Sequence, residues 1–191
     1  MGPLDGHDNP PAPSGPYAGF LSVADVSSCH RVEIRGRPED VFRTLIHIDI
    51  GRSPIIRLLF LLRGLSREML TFRGLQDHGF TPLHQVDDAE LVMGIVGQFW
   101  TPTGRLRSVS PEDFSGFDEP GWAKAVWGFV LEDAGAGRVR LTTETHVRCT
   151  GDLARRRFKR YWFLVGPFSG LIRREILRLV RETVESGDDA S

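Results

Sequence analysis

The chain has 191 residues, of which 40% are hydrophobic and 26% are charged, and its formal net charge is -1. This composition is ordinary for a soluble domain that buries a core, and the small net charge excludes recruitment of nucleic acid or an anionic membrane by a global electric field. The two cysteines are too few for a disulfide scaffold and fit no zinc-binding motif. Because the first residues also lack the basic and apolar regions of a signal peptide, we expect a cytoplasmic protein with reduced thiols.

Both ends of the chain have the composition of segments that do not fold. Residues 1–18 contain five prolines among glycine, serine, aspartate and asparagine, and too little of this stretch is apolar to offset the entropy of ordering it. We therefore predict a disordered tail over residues 1–18, a single domain over residues 19–186 and a short acidic tail over residues 187–191.

The folded part begins with a strand that is followed by helices. Residues 27–36 alternate between apolar and polar side chains, as a strand does. Pro38 then fits the first position of a helix, with two acidic residues in its first turn. Ser53 is a suitable N-cap for a second helix that starts at Pro54, and a third short helix is predicted over residues 66–77.

The second helix is unusually apolar but too short to span a bilayer, which takes about 20 residues. Arg57 and Arg63 also interrupt its run. Helical geometry predicts a broad apolar face that closes one side of a cavity, and it leaves Ile56 and Phe60 on an edge that should stay partly accessible. We interpret this edge as covered by a neighbouring loop or, alternatively, as a cavity lid, a dimer surface or a membrane-touching edge. The broad face consists of Ile55, Leu58, Leu59, Leu61 and Leu62.

The middle of the chain reads as antiparallel strands, with a closing helix after them. Residues 80–86 and 90–98 predict a hairpin, and residues 122–132 and 138–150 predict a second pair. Residues 104–109 are a weaker strand candidate, and residues 110–114 predict a short helix. The closing helix, residues 152–185, should be interrupted at Gly166-Pro167. Its face towards the sheet is expected to carry Phe158, Trp162, Ile172, Ile176 and Leu179.

The order of strand, helices, antiparallel strands and closing helix predicts an α+β fold. With the opening sequence HRVEIRGRPEDVFRTL, this order resembles the helix-grip superfamily of START-like (SRPBCC) proteins and polyketide cyclases and dehydrases, and GRSPIIRLLFLLRGL resembles a bacterial branch of it. The resemblance implies a curved antiparallel sheet wrapped around a long C-terminal helix, with a cavity between them. It also implies that the first and last strands are neighbours, so that Cys29 and Cys149 lie close, although we expect no disulfide in a reducing compartment. It supplies no active site.

Large apolar side chains on the inner strands and the closing helix are candidates for the wall of such a cavity. Core packing explains each of them nearly as well, so that the set favours a pocket only weakly. The candidate cavity residues are Leu58, Leu59, Leu62, Trp100, Trp127, Phe129, Trp162 and Ile172.

The polar candidates depend on which face of the strand over residues 138–150 points inwards. The expected inner face carries every second residue from Val139 to Cys149. Glu144 and His146 then lie on the outer face as partners in cross-strand ion pairs. With the faces reversed, Glu144 and His146 would form an acid/base pair in the cavity. On the closing helix, Arg155 projects near the inward stripe and could reach an acid at the cavity rim.

No motif for nucleotide, metal or serine-hydrolase chemistry is present, and the aromatic residues of the basic stretch RRRFKRYWF fall on the inward face of the helix. We therefore expect no cofactor, no metal and no nucleic-acid partner. The favoured function is binding of a hydrophobic small molecule, lipid-like or polyketide-like. The alternatives are a cofactor-free polyketide cyclase-like enzyme and a protein or membrane-surface contact module, and a homodimer is compatible with each. A dry cavity favours binding, paired polar groups inside it favour an enzyme, and a filled cavity favours a contact module.

Overall fold

The computed structural model describes residues 12–188 of the chain, and at its centre lies a five-stranded antiparallel sheet. A long C-terminal helix packs on one face of the sheet, which we call the inner face. This arrangement confirms the α+β architecture predicted from the order of elements. The strands are β1 (Val26–Arg35), β2 (Thr81–Val86), β3 (Glu90–Gly97), β4 (Trp122–Gly135) and β5 (Arg138–Thr150), in the spatial order β1-β5-β4-β3-β2.

The turn between β4 and β5 sets the register of the two longest strands. Gly135, Ala136 and Gly137 all have positive φ angles, of 76°, 53° and 69°. Glycine adopts this conformation without a Cβ clash, so the chain reverses within a few residues. Across the resulting pair, Trp127 lies opposite Thr145. The weaker strand candidate over residues 104–109 forms only a single bridge, between Val96 and Arg107.

The first and last strands are neighbours, as the resemblance implied, but the two cysteines are far apart. Cys29 lies opposite Glu144, and Cys149 is five positions farther along β5, which corresponds to about 17 Å. Cys29 is also exposed, whereas Cys149 is buried in the core on the inner face of the sheet. The register therefore separates two thiols that strand adjacency alone would have brought together.

The closing helix α5 (Asp152–Asp188) is continuous, so the predicted break at Gly166-Pro167 is wrong. Pro167 lacks an N–H group, which leaves the carbonyl of Phe163 without its helical donor. Pro167 and Phe163 are both exposed, so water can satisfy that carbonyl, and the missing bond does not end the helix. The predicted inward face is confirmed: Phe158, Ile176 and Leu179 are buried, and Trp162 and Ile172 are partly buried.

Helices α1 (Pro38–His47) and α2 (Pro54–Arg63) begin at the predicted prolines, and the hydroxyl of Ser53 caps α2 by accepting from the Ile56 N–H at 3.3 Å. Gly64 ends α2 in a left-handed conformation. The predicted third helix consists of a 3-10 turn followed by α3 (Phe72–Asp77). The short helix α4 (Pro111–Phe114) has the predicted N-cap, Ser110.

The orientation of α2 differs from the predicted one. Ile56 and Phe60 are 0% and 8% exposed, whereas Leu61 and Leu62 of the predicted inner face are each 74% exposed. Seven of the eight residues 55–62 are apolar, so several faces of the helix are apolar enough to be buried. Packing on α5, where Ser53 donates to the buried Glu175, selects the face that contains Ile56 and Phe60.

The outer face of the sheet is covered by the chain that precedes β1 and by α4. Tyr17, Leu21 and Phe114 are buried there against Val92 and Val126. Of the predicted disordered tail, residues 1–11 lie outside the described part, but ordered structure begins before residue 19, since Tyr17 is only 2% exposed. Of the predicted acidic tail, residues 189–191 lie outside the described residues, and α5 continues to residue 188.

None of the described helices is long and apolar enough to cross a membrane. The longest uncharged stretch of α5, residues 161–172, falls short of the roughly 20 residues that a bilayer core requires.

Candidate ligand cavity

A cavity of about 510 Å³ lies between the inner face of the sheet, α2 and α5. The inner face of β4 explains its position, because the side chains there are small at Ala123 and Ala125 and large from Trp127 onwards. The large side chains fill the space beneath α1 and the second half of α5. Over Ala125 no side chain reaches far enough to fill the gap, and the space stays open.

The wall of the cavity is mostly apolar. The rings of Phe158 and Trp162 on α5 are stacked with their centroids 5.7 Å apart, and Phe99 meets Phe158 edge-on at 6.2 Å. Ile95 and Val147 line the opposite side from β3 and β5. Such a wall offers a ligand apolar area and aromatic faces rather than hydrogen bonds.

The cavity opens to solvent between the end of α2 and the middle of α5. Leu62, Leu65 and Phe168 line the cavity and are also exposed. A continuous apolar surface therefore runs from the rim to the interior. An apolar molecule can enter without passing a charged side chain at these three positions.

The polar part of the wall is centred on Arg173. Its Nε donates to Oγ1 of Thr145 at 2.7 Å, and its Nη1 donates to Oγ and the carbonyl of Ser169 at 2.5 and 3.1 Å. The guanidinium also lies over the ring of Trp127, 5.3 Å from its centroid. Burial lowers the pKa of Arg173 to about 10, so the side chain stays protonated at neutral pH.

Five of the eight predicted cavity residues lie in the wall and three do not. Leu59, Leu62, Trp127, Trp162 and Ile172 line the cavity. Leu58 is exposed because α2 is rotated from the predicted orientation, and Phe129 lies in the filled part of the core against Phe72. Trp100 packs against the cluster that contains Ile95 and Phe158 but does not itself line the cavity.

Glu144 and His146 do not reach the cavity, because the buried alternate set of β5 faces inwards as expected. His146 Nε2 lies 2.8 Å from Oε2 of Glu144, and Nδ1 lies 2.9 Å from Oγ of Ser27. The ring of Tyr17 covers this chain of hydrogen bonds, 5.1 Å from the imidazole. The three polar groups therefore form a covered network on the outer face.

Arg155 also lies outside the cavity wall and has a structural contact instead. Its Nε donates to Oδ1 of Asp25 at 2.6 Å, and the other oxygen of Asp25 accepts from the backbone N–H of Cys149 at 2.7 Å. The arginine thus joins the start of α5 to the residues before β1. The expected acid is present, but it belongs to this junction.

Arg173 is the residue that the sequence argument missed. The polar candidate that the sequence argument named on this helix was Arg155, and Arg173 was given no role. A signal was available in its spacing, because it follows Ile172 directly and precedes Ile176 by three positions on the inward stripe. Among the described residues, no group of three or more potential metal ligands comes together.

No protein-family model and no curated protein matches the chain. Among solved structures, it is similar to hypothetical protein jhp0584 from Helicobacter pylori, at 10% identity and a TM-score of 0.44, with 91% of this chain and 96% of that chain covered. It is also similar to TTHA0849 from Thermus thermophilus, at 11% identity and a TM-score of 0.35 over 85% and 99% of the two chains. A conserved protein from Geobacillus kaustophilus is 11% identical, with a TM-score of 0.36 over 84% and 96%. At these values the similarities carry no argument about function, which therefore rests on the cavity itself.

Proposed function

We propose that the protein binds a hydrophobic small molecule between the sheet and α5. The observation that carries this proposal is the open cavity of about 510 Å³ with its apolar and aromatic wall. This volume lies within the range of small-molecule sites, which are concave, mostly apolar and equipped with a few polar groups. The sequence resemblance to the helix-grip superfamily, which implies a cavity in the same place, supports the proposal.

The composition of the wall favours binding over acid/base catalysis. No carboxylate and no imidazole lines the cavity among the described residues, so no paired acid and base faces a ligand there. The network of Ser27, His146 and Glu144 lies on the other face of the sheet. An open cavity also differs from the filled core that a pure contact module would show.

Native mass spectrometry of the purified protein, with lipid extraction of the same sample, tests the proposal directly. We expect a bound species of low molecular mass with apolar character. Wild-type protein should also take up Nile red, a neutral dye that fluoresces in apolar surroundings.

A pair of variants links that uptake to the cavity. Ile95→Trp fills space, because Ile95 lines the cavity from β3, and it should reduce dye binding at least about tenfold. Val86→Trp introduces the same ring at an exposed strand position and should leave binding unchanged. Equal binding by wild type and Ile95→Trp would show that the dye binds elsewhere, and the proposal would then fail.

A further inference from the structure

Arg173 is the only charged residue in the cavity wall among the described residues. Two of its three nitrogens donate to Thr145 and Ser169, and the third, Nη2, donates to none of the described residues. The guanidinium is therefore held in a fixed position with one nitrogen still available. A ligand in the cavity would meet an oriented cation.

Arg155 and Arg178, two other arginines of α5, differ from Arg173 in having acidic partners. Arg155 pairs with Asp25 at 2.6 Å, and Arg178 pairs with Glu175 at 2.9 Å and with Glu182 at 2.6 Å. No described carboxylate forms an ion pair with Arg173. Arg155 and Arg178 thus have carboxylate partners, whereas Arg173 in the cavity wall has none among the described residues.

Outside the cavity wall, the chain places a second arginine and a histidine close to Arg173. Arg174 follows it in the chain, and both arginines, after burial, lower the pKa of His30 on β1. The Nε2 atom of His30 is buried and has no hydrogen-bond partner among the described residues. It lies beside Gly170, one turn before Arg174, where an added Cβ would be 3.3 Å away. Neither Arg174 nor His30 lines the cavity, so Arg173 alone presents positive charge to a ligand there, among the described residues.

An unpaired cation in an apolar cavity is costly, because burial removes water that the guanidinium would otherwise bind. That cost lowers the pKa of Arg173, yet the group remains charged at neutral pH. An anion that enters the cavity replaces the lost hydration with a charge-assisted hydrogen bond. An acidic ligand should therefore bind more tightly, because its binding removes the desolvation cost of the Arg173 guanidinium in the empty cavity.

Building on the proposed function, we propose that the ligand is an amphipathic organic acid whose carboxylate binds Arg173 while its apolar body fills the cavity. A carboxylate matches the single charge of Arg173. A phosphate monoester carries between about 1.5 and 2 negative charges at pH 7, and the wall offers no second cation for it. The apolar wall from Phe158 to the rim at Leu62 suits an unbranched or polyketide-like chain.

The test compares hexadecanoic acid with hexadecanol as competitors for Nile red in wild type, Arg173→Met and Arg174→Met. Methionine preserves length and apolar packing while it removes the charge, and Arg174 is an exposed neighbour outside the cavity wall. Wild type and Arg174→Met should bind the acid more tightly than the alcohol by about tenfold to a hundredfold, as expected for a hydrogen bond to a charged group. Arg173→Met should lose that preference and bind the alcohol as wild type does.

Two results would overturn the proposal for different reasons. If wild type binds both compounds equally, or Arg173→Met keeps the preference for the acid, hydrophobic binding stands but the carboxylate site does not. If neither compound nor the dye binds to wild type, the proposed function fails together with this inference. Thermal melts of all variants establish that they are folded, and Arg173→Gln serves in the same comparison if Arg173→Met does not fold.

Discussion

Lys124 shows how one polar side chain holds two layers of the molecule together. It lies on the outer face of β4, and its Nζ donates to the carbonyl oxygens of Phe114 and Ser115 at 3.0 and 2.8 Å. These carbonyls end α4, and the ring of Phe114 lies beneath the same ammonium, 5.5 Å from Nζ. Burial, with a smaller effect of Arg148, lowers the pKa of Lys124 to about 8. The side chain is thus a buried cation satisfied by backbone groups rather than by a carboxylate.

This shift makes the stability of the protein depend on pH. In the unfolded chain Lys124 titrates at its ordinary pKa of about 10.4, so between pH 8 and that value the unfolded state holds a proton that the folded state lacks. The contribution of Lys124 to the free energy of unfolding therefore rises with pH in this window. We expect Lys124→Met to lose this rise. Urea unfolding of wild type and variant at several pH values between 7 and 10.5 isolates the contribution as a difference, and parallel curves would contradict the assignment.

At the scale of elements, α2 is the helix whose observed orientation differs from the one predicted from the sequence. Phe60 lines the cavity and is 8% exposed, whereas its neighbour Leu61 is 74% exposed. Phe60→Ser should lower the free energy of unfolding by about 3–5 kcal/mol, as large-to-small core changes do, and Leu61→Ser should change it by less than about 0.5 kcal/mol. Chemical denaturation of both variants measures the two values. If Leu61→Ser lowers the free energy of unfolding more than Phe60→Ser does, α2 packs in the orientation predicted from the sequence.

The existence and order of the elements could be predicted because their signals are local. Prolines at first helical positions, the serine caps and the alternation in β5 each depend on a few neighbouring residues. The orientation of α2 could not be predicted, since several of its faces are similarly apolar and tertiary packing selects among them. Arg173 was missed for a related reason: in sequence it stands beside the exposed Arg174, and its contacts with Thr145, Ser169 and Trp127 are set by tertiary packing.

At the scale of the whole molecule, the sheet separates a face that carries a cavity from a face that carries a packed cluster. The inner face carries the cavity and α5, and residues on both α2 and α5 form its opening. The outer face carries a buried hydrophobic cluster that includes Tyr17, Leu21 and Phe114. Because the cavity lies on the inner face and the ring of Tyr17 covers the polar network of His146 on the outer face, we expect ligand binding on the inner face. We expect the outer layer to stabilise the sheet, because it buries apolar side chains against the middle strands.

Tyr17 offers the clearest test of this outer layer. Its ring lies over Gly128 in the middle of β4, where an added Cβ would come within 2.7 Å of Tyr17 Cε1, and it also contacts the ring of His146. Tyr17→Ala should lower the free energy of unfolding by about 3–5 kcal/mol, since it empties a site that the strand cannot fill. Tyr17→Phe keeps the ring and should change stability by less than about 1 kcal/mol. Both variants should retain Nile red binding under native conditions, because the contact lies on the far side of the sheet from the cavity. Denaturation curves for the pair, with dye titrations on the same samples, decide the matter: a small loss in Tyr17→Ala would mean that the segment before β1 does not stabilise the fold.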